Sequence, residues 1–249
     1  MYCDAHIHLF DYYKSSGTEL IPENDIAFCA SAHDPEEFRY QEAFMQRYPE
    51  QAVLSFGIHP QNPTSSTRGF LEKLIDEKRI WAIGECGFDL FTRDFKATLS
   101  DQKIVWDFQL ELAISSGLTL IVHCRKALDL IFADSKRLSK VASVVFHGWP
   151  GSLREAQSLL DRGINAFFCT GKSLARGDRS LRQTVAGLPV SRLLTETDAP
   201  YMQSRGESWS TPQDIRGVAA FAAECAEVEL LEFLRIVHGN FNAVYGIHP

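Results

Sequence analysis

The segment Leu118-Thr119-Leu120-Ile121-Val122-His123 is a short apolar run that ends in a histidine. A β-rich run of this kind, closed by a polar residue, is typical of a buried strand. Seven further segments share the pattern, so that the sequence predicts eight strands, at 2–8, 25–32, 52–59, 80–85, 118–123, 142–147, 166–170 and 193–198.

The intervals between these strands have the character of helices. Three segments open with signals of a helix start, in which a capping residue precedes a proline or an acidic residue: 34–37, 152–155 and 211–214. Between Ser100 and Ser116, the side chains of Ile104, Phe108 and Leu112 fall on one face of a helix, which supports a helix in this interval.

Eight strands that alternate with helices in 249 residues favour a (β/α)8 TIM barrel, an α/β fold, over a doubly wound open sheet, which is the alternative. No linker or low-complexity segment divides the chain, so we expect a single domain over residues 1–249. The stretch after Asp198 has helical character, which fits a final helix that closes the ring.

Composition excludes several classes of protein. A chain with 45% hydrophobic and 23% charged residues is not disordered, collagenous or a coiled coil. The net charge of -7 has the wrong sign for a broad basic surface that captures nucleic acid, so contact with nucleic acid would be local. Without a secretory signal, a long apolar run or paired cysteines, the sequence predicts a cytoplasmic protein with reduced thiols, no membrane association and no obligatory protein partner.

Residues capable of metal binding or acid–base chemistry lie at the ends of the predicted strands: His6, His8, His59, Glu85, His123, His147 and Asp198. In a barrel the carboxyl ends of all strands share one mouth, where active sites form. His6 and His8 have His-x-His spacing, which places both imidazoles on one face of a strand. One such histidine alone is more often a hydrogen-bonded core residue, but five of the eight histidines at strand ends favour a metal site.

Histidine and carboxylate ligands without obligatory thiolates suit Zn, Mn, Fe or Co, and oxygen donors plus a substrate phosphate would also accept Mg. Cys86 and Cys124 adjoin Glu85 and His123. Because neighbouring residues of a strand point to opposite faces, we expect both thiols to pack toward the helices instead of binding metal.

The sequence resembles the TatD family of metal-dependent hydrolases, within the amidohydrolase-like barrels. Six motifs occur in the family's order: Asp4-Ala5-His6-Ile7-His8, Gly57-Ile58-His59-Pro60, Gly84-Glu85-Cys86-Gly87-Phe88-Asp89, Gln109-Leu110 with Val122-His123-Cys124-Arg125, Phe146-His147-Gly148, and Glu196-Thr197-Asp198-Ala199-Pro200-Tyr201. The resemblance implies a two-metal barrel that hydrolyses phosphodiesters, as a 3'-5' exodeoxyribonuclease that takes DNA or oligonucleotide ends as substrate.

The resemblance also implies roles for single residues. The ligands of one divalent ion (Mg, Mn or Zn) would be His6, His8, Glu85 and Asp198. The ligands of a second ion would be Glu85, His123 and His147, so that Glu85 is shared by both ions. His59 would face the substrate phosphate, and Glu196 would support the site.

Two departures from the family's pattern concern the loops. The chain has Ser210-Thr211-Pro212 where members carry Asn-Glu-Pro, and Ala243 where an arginine is usual. These departures bear on substrate preference more than on hydrolysis.

Two metals can acidify a water molecule and stabilise the leaving oxygen of a phosphodiester. Asp198 and Glu85 are the catalytic carboxylates, and Asp198 would take the proton from the nucleophile. Arg125 binds a substrate phosphate or forms an exposed salt bridge, two interpretations that the sequence weights equally. The only candidate for an extended basic track is the set Lys172, Arg176, Arg179 and Arg182.

Two alternatives remain. Amidohydrolase-type hydrolysis of a C–N or ester bond in a small molecule would use the same site, but Glu85 stands where a carbamylated lysine could bridge the metals. A barrel that binds metal or a partner without catalysis would be favoured only if the ligand set were broken, and every expected position is filled.

Overall fold

The computed structural model describes residues 1–247 and contains a barrel of eight parallel strands. The strands are β1 (Tyr2–Ile7), β2 (Ile26–Ala32), β3 (Ala52–Phe56), β4 (Ala82–Asp89), β5 (Thr119–Arg125), β6 (Val144–Phe146), β7 (Ala166–Thr170) and β8 (Leu193–Thr195). Each strand pairs with the next. The ring closes where Asp198 N donates to His6 O at 3.0 Å and His8 N donates to Ala199 O at 2.9 Å. The predicted (β/α)8 barrel is confirmed.

Helices fill the intervals between the strands and follow the last one. They are α1 (Leu9–Ser16), α2 (Pro35–Arg47), α3 (Arg68–Asp76), α4 (Arg93–Ala97), α5 (Leu99–Ser116), α6 (Leu128–Ala133), α7 (Ser135–Leu138), α8 (Leu153–Asp161), α9 (Arg179–Gly187), α10 (Ile215–Cys225) and α11 (Leu230–Val244). Short 3-10 helices occupy 65–67, 190–192 and 212–214. None of the helices described within residues 1–247 is long and apolar enough to cross a membrane.

The predicted helix starts are confirmed. The Asp34 carboxylate accepts from the backbone N–H groups of Glu36 and Glu37 and so caps α2, while Ser152 and Glu155 form a reciprocal capping box at α8. Thr211 and Asp214 form a second capping box, which opens a 3-10 turn directly before α10. These bonds satisfy N–H groups that a helix leaves unpaired in its first turn.

The helix predicted between Ser100 and Ser116 is confirmed as α5, but the face with Ile104, Phe108 and Leu112 is not its buried face. Ile104 is 51% exposed, and Phe108 and Leu112 are only partly buried. The buried face consists instead of Gln102, Val105, Trp106, Gln109, Leu110 and Ala113. Two glutamines belong to this face, since their side-chain amides form hydrogen bonds with backbone groups of the barrel. The polarity of a residue therefore does not indicate which face of α5 is buried.

Several strands end at other residues than predicted. β4 continues through Glu85 to Asp89 and β5 continues through His123 to Arg125, so these two side chains project from within strands. β3 and β8 end three residues before His59 and Asp198, respectively. His8 and His147 each follow directly after a strand. All of these residues still lie at the carboxyl end of the barrel.

Two glycines allow β4 and β5 to approach each other closely. Gly84 and Gly87 have φ values of 136° and 137°, which side chains rarely adopt. A Cβ atom built on Gly84 would lie 2.5 Å from Ile121 O, and one on Gly87 would lie 2.1 Å from His123 O. The close approach brings Glu85 on β4 next to His123 on β5.

Candidate metal centre

A cavity of about 520 Å³ opens at the carboxyl end of the barrel. Its lining contains His8, His33, His59, Gln61, Glu85, His123, Cys124, Arg125, His147, Gly148, Pro150, Asp198, Tyr201 and Met202. His6 is fully buried beside these residues and contacts Glu85. The structure therefore brings together all seven residues that the sequence placed at strand ends, and Arg125 with them.

Glu85 lies at the centre of the cluster, and its two carboxylate oxygens face two sets of side chains. Oε2 lies 3.0 Å from His6 Nε2 and 3.7 Å from His8 Nε2. Oε1 lies 2.5 Å from His123 Nδ1 and 3.7 Å from His147 Nε2. This is the arrangement that a carboxylate shared between two cation sites requires.

Asp198 completes the first set. Its Oδ1 lies 3.4 Å from His8 Nε2 and 3.9 Å from His6 Nε2. Asp198 has a φ of 55°, a left-handed conformation that a non-glycine residue adopts at a cost, as happens at functional sites. The turn that follows holds Asp198 in place, because Tyr201 N donates to Asp198 O at 2.7 Å.

The described residues contain three groups of donor atoms in which all atoms lie within 4.8 Å of one another. They are His6, His8 and Asp198; His6, Glu85 and His147; and His33, His59 and Glu85. His123 belongs to none of them, and its two nitrogens bond Glu85 and Asp89. The first group contains three of the four residues expected for one ion and lacks Glu85, whereas the second has His6 in the place expected for His123.

The charges in the cluster depend on one another. Burial alone would raise the pKa of Glu85, but the imidazoles of His59, His147 and His6 outweigh burial and hold this pKa well below its usual range. Burial lowers the pKa of His6 to about 3. At His147 burial is outweighed by the carboxylates of Glu196, Glu85 and Asp198, which raise its pKa to about 10.

Carboxylates outside the cluster orient its imidazoles. Glu196 is fully buried, and its Oε2 lies 2.9 Å from His147 Nδ1 while its Oε1 accepts from Gly148 N at 2.8 Å. Asp89 Oδ2 lies 3.1 Å from His123 Nε2. Metal-binding histidines commonly use their second nitrogen in this way, and the partner fixes the ring and the tautomer.

Helix α5 holds the loop that carries His59 and the end of β4 at Asp89. Gln109 accepts from Ile58 N at 2.7 Å and donates to Ile58 O at 3.1 Å, next to His59. Gln102 accepts from Asp89 N at 2.9 Å and donates to Asp89 O at 3.0 Å. Both amides are fully buried, so they fix the backbone beside the cluster.

Asp4 anchors the loop that carries Asp198. Its carboxylate accepts from Thr197 N at 2.9 Å and from Thr197 Oγ1 at 2.5 Å, and from His6 N at 3.3 Å. Complete burial raises the pKa of Asp4 to about 8 in spite of these bonds. Asp4 thereby connects β1 to the residues after β8, on which the first set of donors depends.

His59 and Arg125 lie at the edge of the cluster. His59 Nε2 lies 3.3 Å from Glu85 Oε1, and burial lowers the pKa of His59 to about 4. The Arg125 side chain is 45% exposed, with Nη1 3.8 Å from Asp89 Oδ2 and its guanidinium 4.2 Å from the centre of the Phe91 ring. Arg125 can donate hydrogen bonds to a group that enters the cavity, whereas His59 Nδ1 accepts from Gln61 N at 3.2 Å, so that Nε2 is the only donor of a neutral His59.

Both cysteines next to the cluster are buried. Cys86 is fully buried, and its thiol donates to Ile121 O at 3.6 Å, as expected for a packing residue. Cys124 is 3% exposed and belongs to the hydrophobic core, although it is also one of the residues around the cavity. Burial raises the pKa of the Cys124 thiol to about 12, which disfavours the thiolate that metal binding needs.

His33 was not predicted from the sequence as a site residue. Its Nε2 is buried without a hydrogen-bond partner and lies 3.6 Å from Glu85 Oε2, while its Nδ1 lies 3.8 Å from Glu37 Oε2. His33 directly follows β2 and lies one residue beyond the predicted strand 25–32. It therefore has the same position at a strand end as the histidines that were predicted. Asp89, Gln61 and Tyr201 were also given no role.

The first residue of the candidate basic track is paired inside the protein. Lys172 is buried, and its ammonium group contacts the carboxylates of Glu207 and Asp214, the second at 2.7 Å. Arg176 donates to Gln203 O at 2.8 Å and Arg182 to Leu174 O at 3.2 Å. The exposed part of the track is therefore limited to Arg176, Arg179 and Arg182.

The donor set fits divalent cations. Six imidazoles (His6, His8, His33, His59, His123 and His147) and two carboxylates (Glu85 and Asp198) converge at the cavity, and two of the imidazole nitrogens, His8 Nδ1 and His33 Nε2, have no hydrogen-bond partner. Buried anions such as Glu85 and Asp198 are costly unless they are paired or bind metal. The structure thus contains candidate metal-ligand clusters, in the mixed nitrogen and oxygen chemistry that suits Zn or Mn.

Comparisons with known proteins agree with this architecture. A family model described as TatD related DNase matches residues 3–246. The 3'-5' ssDNA/RNA exonuclease TatD of Klebsiella pneumoniae (strain 342) is 36% identical over 205 residues, which cover 77% of this chain and 76% of that protein. The protein of the same name from Pantoea sp. (strain At-9b) is 30% identical over 194 residues, or 72% of this chain and 74% of that protein.

Solved structures share the fold. The TatD homolog YJJV from Escherichia coli K12 superimposes with a TM-score of 0.83 at 23% identity, over 99% of this chain and 98% of that chain. A TatD family hydrolase from Entamoeba histolytica gives a TM-score of 0.77 at 17% identity, over 98% and 97% of the two chains. With a family model that spans almost the whole sequence and relatives above 30% identity, this chain belongs to the TatD-related DNase family.

Proposed function

We propose that this protein is a divalent-metal-dependent phosphodiesterase that removes nucleotides from the 3' ends of single-stranded DNA or RNA. The observation that carries the proposal is the buried Glu85 carboxylate, whose two oxygens face two separate sets of imidazoles at the mouth of the barrel. The relatives named above as single-strand exonucleases supply the substrate class.

Glu85 would contribute to both of two ion sites. His6, His8 and Asp198 would hold one ion with it, and His123 and His147 would hold the other. Bound divalent ions would lower the pKa of a water molecule towards about 7 and offset the charge of the phosphate. Neither ion needs a thiolate ligand.

The remaining steps belong to the protein's own side chains. Asp198 accepts the proton of the attacking water, because its Oδ1 faces the cavity beside His8. Glu196 and Asp89 keep the rings of His147 and His123 oriented toward Glu85. His59 and Arg125 donate hydrogen bonds to the phosphate, and the mouth of a barrel admits a chain end more easily than a continuous duplex.

The alternative hydrolysis of a C–N or ester bond would use the same donors. The family match and the named activity of the relatives favour phosphodiester hydrolysis over it. Cyclic amides and lactones serve as the comparison substrates in the experiment below.

The test is turnover of single-stranded oligonucleotides labelled at either end, with Mg, Mn and Zn supplied in turn and with EDTA as the metal-free control. We expect stepwise loss of nucleotides from the 3' end, abolished by EDTA. Asp198→Asn should lower the rate about 10²- to 10⁴-fold, the usual contribution of general acid–base catalysis. Asp161→Asn, an exposed aspartate at the end of α8, is the matched control and should leave the rate unchanged.

Three results would contradict the proposal. They are failure to release nucleotides with any of the metals, full activity of Asp198→Asn, and turnover of the cyclic amides or lactones in place of the oligonucleotides.

A further inference from the structure

The two halves of the cavity wall differ in chemical character. Gln61 and Arg125, which come from the β3 to β5 side of the ring, supply amide and guanidinium groups. Pro150, Tyr201 and Met202, which come from the β6 to β8 side, supply apolar surface. A nucleotide is divided in the same way, with an anionic phosphate at one end and a flat, largely apolar base at the other.

Tyr201 is the aromatic part of the apolar side. Its hydroxyl donates to Asp11 Oδ2 at 2.7 Å, and Asp11 is in turn paired with Lys14 at 2.8 Å. The Tyr201 ring meets the His8 ring nearly at right angles, with 5.3 Å between the ring centres. Although it is fixed in this way, Tyr201 remains 45% exposed. A rigid aromatic ring that keeps an open surface is suited to stacking a base.

We propose that Tyr201, flanked by Pro150 and Met202, stacks the nucleobase of the nucleotide that carries the scissile phosphate. This inference rests on the proposed function. His8, the ring that Tyr201 contacts, belongs to the donor group of His6 and Asp198, so a base on Tyr201 lies beside the place where its phosphate is held. Stacking accepts any base, since every base has a π face, and the subsite is therefore specific for a nucleotide but not for its sequence.

Phe91 is the competing aromatic residue at this end of the barrel. It is more exposed than Tyr201, at 54%, but the guanidinium of Arg125 already lies 4.2 Å from its ring centre. Phe91 is also absent from the cavity lining, whereas Tyr201 is part of it. These two observations assign the base to Tyr201.

The experiment compares Tyr201→Ala, Tyr201→Phe and Phe91→Ala on two single-stranded oligonucleotides that differ only at the 3' terminus. One ends in 2-aminopurine deoxynucleotide, and the other ends in an abasic tetrahydrofuran residue. Removing Tyr201 should lower kcat/KM on the base-bearing end about 5- to 100-fold, the factor that corresponds to stacking of one base on an aromatic ring. On the abasic end, Tyr201→Ala and wild type should agree within about twofold, because no base is present to stack.

The two other variants serve as controls. Tyr201→Phe keeps the ring and should stay near wild type on both ends, and Phe91→Ala should do the same. A second measurement does not need turnover: 2-aminopurine deoxyribonucleoside monophosphate, titrated into wild-type protein with metal present, should lose fluorescence on binding. The quenching should disappear in Tyr201→Ala and persist in Phe91→Ala.

Different failures have different meanings. An equal loss on both ends in Tyr201→Ala, or a loss on the base-bearing end in Phe91→Ala, overturns the assignment of the base to Tyr201. If wild type hydrolyses neither oligonucleotide, the proposed function fails, while the fluorescence titration still tests the subsite. Tyr201→Leu repeats the comparison if the alanine variant does not fold.

Discussion

Single histidines of the cluster have two different proposed roles, which are binding of the substrate phosphate and binding of metal. His59 is assigned to the substrate phosphate and His123 to metal, yet both lie next to Oε1 of Glu85, at 3.3 Å and 2.5 Å. Only His123 has a second carboxylate partner, Asp89, in the manner of a metal-binding histidine. This difference separates their expected mutant phenotypes.

We expect His59→Ala to raise KM about 10- to 100-fold, because a hydrogen bond to a charged group is worth about 1.5–3 kcal/mol. Its metal content should remain that of wild type. His123→Ala should instead lose bound metal. Elemental analysis of the purified variants, together with steady-state kinetics, makes the comparison. If His59→Ala loses as much metal as His123→Ala, then His59 is a metal ligand, in the group with His33 and Glu85.

Sequence patterns identified most of these residues because metal chemistry uses few side-chain types and the barrel collects them at one mouth. His33 was not predicted because it lies one residue beyond the predicted strand 25–32. His8 and His147 also follow directly after strands in the structure, but the predicted strands 2–8 and 142–147 included them. Tyr201 escaped for another reason. Its role depends on exposure and on the bond to Asp11, neither of which is visible in a sequence.

At the scale of elements, hydrophobic patterns predicted the strands and their order but not the orientation of α5. Gln102 and Gln109 are polar, yet both lie on the buried face of α5. In the structure both amides are buried because they bond the backbone at Asp89 and Ile58. A buried polar group that is fully hydrogen-bonded is favourable, and such pairing depends on residues distant in sequence.

The close contact of β4 and β5 leads to a prediction about Gly87. Gly87→Ala should lower the free energy of unfolding by about 1–3 kcal/mol or more, because the new Cβ atom would overlap His123 O and overpack the core. It should also lower turnover, since His123 must move. Urea unfolding and kinetics measure the two effects.

Gly163→Ala is the matched control. Gly163 has a φ of 79° and nothing within 4 Å of a built Cβ atom, so the variant isolates the cost of a left-handed backbone, about 1–2 kcal/mol. It should remain fully active. A Gly87→Ala protein as stable and as active as Gly163→Ala would show that the close approach of the two strands does not position His123.

At the scale of the whole molecule, charge limits how the substrate is held. The chain carries a net charge of -7, and Lys172 is paired with Glu207 and Asp214 instead of extending a basic track. A long polyanion is therefore repelled everywhere except near the cations at the mouth of the barrel. We infer that few phosphates are gripped at once and that a free end is the preferred substrate.

The salt dependence of cleavage tests this inference. A grip on about two or three phosphates predicts a slope of log rate constant against log salt near -2, since each neutralised phosphate of a single strand contributes about -0.7. Linear single-stranded DNA should be cleaved and closed circular DNA should not, and short oligonucleotides should serve nearly as well as long ones. Equal rates on the circle, or a slope steeper than about -5, would require an extended basic track.

The metal content of Glu85→Ala tests whether Glu85 organises two cation sites. A carboxylate between two cations reduces their repulsion and fixes their separation, so its removal weakens both sites at once. The protein is loaded with excess metal, and gel filtration then removes the unbound metal. Wild type should retain two equivalents of bound metal. Glu85→Ala should retain less than one and should lose turnover, whereas loss of a terminal ligand in His8→Ala should be milder. Two fully occupied sites and a normal rate in Glu85→Ala would contradict the account.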